Sequence, residues 1–264
     1  MKLIVTDLDG TFLNNNGSYD RELFNKVYSK MQEKNIEFAI CTGKQCERVE
    51  ELFESDNSNI WILGDSATRI RQGKKLVKEF PMNQNIALQM IASMKNFDSD
   101  LIIIACTNDG AFVRNDIEDK YFKIIRRSYA KLKKINSIEE VTGNFLKITV
   151  YDPLKRSEKL KHYLNSYMEQ LYIVASEPAW LDVTDRNIHK GKTVEKLQDL
   201  LRITKEDTMS FGDGENDVEL MDAAKYSFAM SNASENTKNA ADFITKSNEE
   251  NGVLKTIQKI IDLI

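Results

Sequence analysis

The chain has 264 residues, 41% of them hydrophobic and 30% charged, which suits a soluble protein of one large or two modest domains and argues against disorder. Its 37 Lys and Arg against 41 Asp and Glu give a formal charge of −4, so the net balance gives no sign of a nucleic-acid surface or of attraction to an anionic membrane. Three cysteines without framework spacing, two histidines and no apolar run long enough to span a bilayer argue against structural disulfides, a zinc cluster, a histidine triad and a transmembrane helix. Cytoplasmic location is expected, because the apolar stretch at the start is far shorter than a signal peptide.

Leu3-Ile4-Val5 reads as a buried strand, and Asp7-Leu8-Asp9-Gly10-Thr11 follows directly at its carboxyl end. Tyr19 to Glu33 carries Leu23, Phe24, Val27, Tyr28 and Met31 at helical spacing, with Ser18 or Asp20 as cap. Glu37 to Cys41 is a second strand, Gln45 to Phe53 a helix and Asn59 to Leu63 a third strand, with Gly64-Asp65-Ser66 as its turn. This βαβα rhythm implies parallel strands. From Pro81 the pattern changes. A helix around Ile86 to Met94 is followed by Asp100 to Cys106 and Ala111 to Arg114, strands flanking the hairpin turn Thr107-Asn108-Asp109-Gly110.

A further helical stretch precedes a strand over Phe145 to Tyr151; a helix with Leu160, Tyr163, Leu164 and Tyr167 follows, and then Tyr172 to Ala175 and Trp180 to Val183 flank Glu177-Pro178. The basic runs Arg126-Arg127 and Lys131 to Lys134 fall in mixed helical segments and read as solvated faces. The βαβ pattern then returns with a helix over Gly191 to Leu201, strands at Thr208 to Phe211, Tyr226 to Met230 and Phe243 to Thr245, and helices at Val218 to Ala224, Glu235 to Ala241 and Val253 to Ile264. The expected fold is α/β, a Rossmann-like doubly wound parallel core (1–80 and 186–264) with an inserted α+β cap domain (81–185).

Polar clusters fall where such a core puts its ligands, beyond the carboxyl ends of the strands. Asp7 is ionised at neutral pH without a base and could attack phosphorus, while Asp9 could carry a proton to the leaving oxygen; the same residues could also be an exposed Asp-Gly turn. Thr42-Gly43 offers a hydroxyl and free amides ahead of a helix, as an anion site or an ordinary cap. Lys190 could neutralise both a carboxylate nucleophile and a phosphate. Gly212-Asp213-Gly214-Glu215-Asn216-Asp217 supplies hard oxygen donors suited to magnesium, or a capped loop. Together these clusters describe a phosphoryl-transfer site.

In their order and placement they resemble the four motifs of the haloacid dehalogenase-like superfamily, and within it the Cof-type phosphatases, which carry a cap between the second and third motifs. The resemblance spans nearly the whole chain, including Ala229-Met230-Ser231-Asn232-Ala233 and Asn251-Gly252-Val253. It implies Asp7 as nucleophile and Asp9 as general acid/base, with Thr42, Gly43, Lys190 and Asn216 holding the phosphoryl group. It also implies Mg2+ on the Asp7 carboxylate, the Asp9 carbonyl and Asp213, supported by Asp217. The sequence departs from the family pattern at Lys44, usually Arg, at Asp65-Ser66-Ala67, frequently Asn-Gly-Ala, and at His189, usually a small polar residue.

The resemblance implies a magnesium-dependent phosphatase of a small phosphorylated metabolite, a sugar phosphate or phosphorylated cofactor, working through an aspartyl-phosphate. A phosphomutase or phosphotransferase using the same intermediate is the alternative, and a non-enzymatic binding protein would lack acids that are present here. Specificity would lie in the cap, where Arg114, Arg126, Glu177 and Asp182 are candidates; the substrate and the oligomeric state are not legible.

Overall fold

The computed structural model describes residues 1–53 and 59–263. The chain opens with β1 (Leu3–Thr6), α1 (Arg21–Glu33), β2 (Glu37–Cys41), α2 (Cys46–Leu52) and β3 (Trp61–Gly64). Asp20, rather than Ser18, caps α1 by accepting the Leu23 amide at 2.9 Å.

Two strands follow that the sequence pattern hides, β4 (Arg69–Gln72) and β5 (Lys75–Glu79), joined at Gly73. Arg69 and Arg71 mask the first. Arg69 is nonetheless 1% exposed, because Asp65 and Glu47 both accept from its guanidinium. Lysines mark the second as an edge strand, a placement that discourages further pairing.

The inserted unit comprises α3 (Gln84–Phe97), β6 (Ile102–Thr107), β7 (Gly110–Arg114), α4 (Asp119–Ile125), β8 (Leu132–Ile135), β9 (Lys147–Tyr151), α5 (Ser157–Tyr163), β10 (Leu171–Glu177) and β11 (Trp180–Asp185). One correction falls here. Lys131 to Lys134 is not helical, since Leu132–Ile135 pairs in parallel with β7 as the edge of this sheet. Lys133 and Lys134 are exposed while Leu132 and Ile135 pack into different clusters, so this four-residue edge strand shows no alternation that could be read from the sequence. The chain then returns through α6 (Lys190–Leu201), β12 (Thr208–Gly212), α7 (Val218–Asp222), β13 (Tyr226–Met230), α8 (Glu235–Ala240), β14 (Phe243–Thr245) and α9 (Gly252–Ile261). Ile264, the expected end of α9, lies outside the described residues.

The core sheet has the order β14-β13-β12-β1-β2-β3-β4-β5 and is parallel from β14 to β3, with β4 and β5 antiparallel at the edge. Both faces are covered. Ile4, Phe38, Ile40 and Phe211 pack against α1 and α9, while Leu3, Val5, Ala39 and Cys41 pack against α6 and α7. That two-sided burial is why these strands read as continuous apolar runs.

The second sheet, β10-β11-β9-β6-β7-β8, is antiparallel apart from β7 and β8. Ile148, Val150, Leu181 and Val183 pack with residues of α3 and α5. Their neighbours Lys147, Thr149, Trp180 and Asp182 lie on the opposite face, because side chains alternate along a strand. The architecture is a doubly wound α/β core with an α+β insertion. No helix among the described residues is long and apolar enough to cross a membrane.

Candidate active site

Because β1 lies between β2 and β12 with all three parallel, the residues after each strand emerge on one side, at the point where the chain crosses over in opposite directions. β1 delivers Asp7, β2 delivers Thr42 and Gly43, and β12 delivers Asp213. All four, with Asp9, Asn216 and Asp217, line one cleft of about 480 Å³ whose far wall is the polar face of the second sheet. Lys190, at the start of α6, enters from below. Every residue singled out from the sequence as a site candidate in the core is thus gathered in one place.

Lys190 is the centre of charge. Its Nζ donates to Asp7 Oδ1 at 2.7 Å and to Asp217 Oδ1 at 2.6 Å, and the residue is 3% exposed. Burial disfavours the ammonium, but the charges of Asp217 and Asp7 outweigh that and hold its pKa well above the usual value. Asp217 Oδ2 accepts the amides of Asp213 and Gly214, each at 3.0 Å, so both of its oxygens are engaged and it braces the loop. Asp213 Oδ1 accepts from Thr11 Oγ1 at 2.5 Å. Among the described residues, Oδ2 of Asp7 and Oδ2 of Asp213 accept no hydrogen bond, and both carboxylates remain available to the cleft.

Backbone detail explains the glycines. Gly10 has φ +76° and a Cβ there would lie 2.3 Å from Asp213 Oδ2, so only glycine lets the first loop approach the fourth. The two loops are tied further by Asn232 Nδ2, which donates to the Gly10 carbonyl at 2.8 Å, and by the Ser234 amide on the Asp213 carbonyl at 2.9 Å.

Burial pushes the Asp7 carboxyl well up despite the opposing charge of Lys190, with Asp217 and Asp213 adding to the rise. Burial and the Asp217 charge likewise raise Asp213, to about 7. Carboxylate oxygens of Asp7, Asp213 and Asp217 lie within 4.8 Å of one another, three acids facing a single buried ammonium. Such a surplus of negative charge on hard oxygen donors fits a small divalent cation. The donor set is therefore right for magnesium.

Lys44 pairs with Asp9 at 2.9 Å, its side chain 12% exposed and that of Asp9 51%. His189 is not in the cleft lining. It caps α6 by accepting the Lys192 amide at 3.5 Å and packs against the ring of Tyr172, with ring centroids 5.1 Å apart. Of the cap candidates, Glu177 and Asp182 line the cleft. Arg114 instead pairs with Asp116, and Arg126 contributes its carbonyl to Arg48.

The sequence reading missed Lys147, Arg127 and Trp180, which also line the cleft. The only signal for two of them was the alternation Lys147-Ile148-Thr149-Val150 and Trp180-Leu181-Asp182-Val183, which marks a polar face without saying what it faces.

The geometry agrees with comparisons to known proteins. A family profile of haloacid dehalogenase-like hydrolases matches residues 4–257. The chain is 26% identical over 266 residues to the 5-amino-6-(5-phospho-D-ribitylamino)uracil phosphatase YbjI of Escherichia coli K12, covering 99% of this chain and 96% of that one. A solved structure from Streptococcus mutans UA159 superposes with a TM-score of 0.93 at 27% identity, covering 99% of both chains. A haloacid dehalogenase-like hydrolase of B. subtilis shares the fold, with a TM-score of 0.85 at 24% identity over 98% of this chain and 99% of that one. With the profile running through both halves of the core and the insertion between them, the chain belongs to the haloacid dehalogenase-like hydrolase family.

Proposed function

We propose that the protein is a magnesium-dependent phosphatase that transfers the phosphoryl group of a small phosphorylated metabolite to Asp7 and then to water. The observation that carries this reading is a buried Asp7 held by Lys190 at 2.7 Å, with Asp9 in the same cleft. Asp7 Oδ2 attacks phosphorus and the ester bond breaks, the leaving oxygen taking a proton from Asp9. Asp9 then accepts a proton from water, whose oxygen attacks the aspartyl-phosphate and frees Asp7 and inorganic phosphate. Thr42, Gly43, Asn216 and Lys190 hold the phosphoryl oxygens in both steps. Asp7, the Asp9 carbonyl and Asp213 would hold Mg2+, which supplies positive charge that lets a phosphate dianion approach an anionic carboxylate.

Residues 1–80 and 186–264 form the catalytic core in this reading, and residues 81–185 the cap that receives the leaving group. The free, buried Cys41, Cys46 and Cys106 support a reducing, cytoplasmic setting. Three relatives are named 5-amino-6-(5-phospho-D-ribitylamino)uracil phosphatases, so that ester belongs in the substrate panel beside sugar phosphates.

The test is phosphate release from such a panel with magnesium and no acceptor sugar. The wild type releases phosphate, Asp7→Asn is inactive, and Asp9→Asn loses turnover. Wild-type turnover by Asp9→Asn would remove the acid/base role. Consumption of the ester only when an acceptor sugar is added, with phosphorylated sugar formed in place of inorganic phosphate, would make the protein a phosphotransferase.

A further inference from the structure

Ser66 lies in a run of three left-handed residues, with φ of +54° at Asp65, +58° at Ser66 and +65° at Ala67. Residues with a Cβ rarely adopt this conformation, and strain of this kind collects where the fold needs a group in one place. The run buttresses the Thr42-Gly43 loop from beneath. The Asp65 amide donates to the Lys44 carbonyl at 2.7 Å and the Ser66 amide to the Thr42 carbonyl at 3.1 Å.

What the strained backbone presents is the Ser66 hydroxyl, which donates to Asp182 Oδ2 of β11 at 2.7 Å. From the neighbouring strand, Lys147 Nζ donates to the same hydroxyl at 3.1 Å and to the Gly43 carbonyl at 2.9 Å, and lies 3.6 Å from Asp182 Oδ1. Thr149 closes the set by donating to Asp182 Oδ1 at 2.6 Å. The Lys147 side chain is 1% exposed, and each oxygen of Asp182 has a partner.

We propose that Ser66, Lys147 and Asp182 form a polar latch between the insertion and the phosphate-holding loop, and that Lys147 and Ser66 are positioning residues which set the Gly43-Lys44 peptide, and through it the Thr42 hydroxyl, when the cleft is closed. The inference rests on the phosphatase reading for its kinetic consequence, although the latch itself can be read without catalysis. A buried ammonium on the Gly43 carbonyl fixes the Gly43-Lys44 peptide plane, whose amide donates to Thr42 Oγ1 at 3.2 Å, and with it the hydroxyl that would hold the phosphoryl group. When the insertion moves away, the loop keeps its backbone support from 65–67 but loses Lys147.

Ser66→Gly separates this role from packing, because glycine adopts the left-handed conformation freely and removes only the hydroxyl. Relief of the left-handed strain offsets part of the cost of leaving Asp182 and Lys147 each one partner short, so the latch predicts a melting temperature within about 4 °C of wild type together with a fall in kcat/KM of roughly 10- to 100-fold on every ester, including a minimal aryl phosphate. Lys147→Met should give the same fall, Lys147→Arg should recover part of it, and the double variant should lose no more than the worse single one.

Hydrogen exchange at the amides of residues 42–45 provides the second readout, and it should quicken in Ser66→Gly and Lys147→Met. A stable Ser66→Gly variant with wild-type kcat/KM and unchanged exchange would overturn the latch. A loss confined to esters with large leaving groups would overturn the positioning role and make these residues part of the substrate pocket. If the wild type releases no phosphate, the phosphatase reading fails by itself and the exchange data alone decide the latch.

Discussion

Lys190→Met tests the electrostatic centre of the site most directly. The substitution keeps the length of the side chain and removes an ammonium held between Asp7 at 2.7 Å and Asp217 at 2.6 Å, where the lysine is 3% exposed. Removing one partner of a buried pair costs about 3–5 kcal/mol, because the remaining charge keeps its desolvation penalty and loses its compensation. Protonation of a neighbouring acid caps that cost, since burial already pushes Asp7 and Asp213 upward. We therefore take the lower end, about 3 kcal/mol.

At about 2–4 °C per kcal/mol for a chain of this size, the expected fall in melting temperature is roughly 6–12 °C in chelator. Magnesium should return part of it by supplying positive charge to the same acids. Turnover should drop by about 10²-fold or more at saturating magnesium, as expected for a group that stabilises charge on the transferring phosphoryl. The assay is thermal unfolding with and without magnesium, beside phosphate release. A variant that melts within about 2 °C of wild type and keeps kcat within about threefold would refute the argument that this ammonium balances the acids.

Other expectations follow from the same geometry. Gly10→Ala places a Cβ 2.3 Å from Asp213 Oδ2 in a left-handed backbone, so it should weaken magnesium affinity and lower kcat/KM, measured by magnesium titration of activity; wild-type affinity would contradict the close approach. In chelator, Asp213 binds its proton more tightly in the folded chain than in the unfolded one, so stability should be highest below about pH 4 for this group and fall as pH rises towards 7. Magnesium should accordingly raise the melting temperature more at about pH 8 than at about pH 5, and an equal shift at both would contradict the assignment. Arg127 and Glu177 line the cleft with no side-chain partner among the described residues, and in the proposed reaction they are the candidates to meet the leaving group. Arg127→Gln and Glu177→Gln should each alter the ranking of esters in a substrate panel by about tenfold while sparing a minimal aryl phosphate, and an unchanged ranking would remove them from the leaving-group subsite.

Much of this was legible in the sequence for a plain reason. Parallel strands buried on both faces must be apolar runs, and in a doubly wound sheet their carboxyl ends converge, so Asp7, Thr42 and Asp213 could be assigned to one crevice from local pattern alone. Lys190 could be joined to them because it opens the helix with which the βαβ pattern returns after the insertion, where an ammonium can neutralise a carboxylate and a phosphate together. The pattern failed where charge hides a strand. Arg69-Ile70-Arg71 looks like a loop until Asp65 and Glu47 neutralise Arg69 in the interior. The Lys131 to Lys134 run looks helical until Leu132–Ile135 finds β7.

The sequence by itself placed the groups that define the chemistry, because acids, hydroxyl and glycines were written at strand ends, and the ammonium at a helix start, whose geometry is nearly fixed by the α/β pattern. Only the tertiary structure decided which residues of the insertion meet that chemistry. Lys147, Asp182 and Ser66 lie 81 and 116 positions apart along the chain in their hydrogen-bonded pairs, and no period links them. Their contact depends on how one sheet docks over the other, a relation set by the packing of whole elements rather than by any local run of residues.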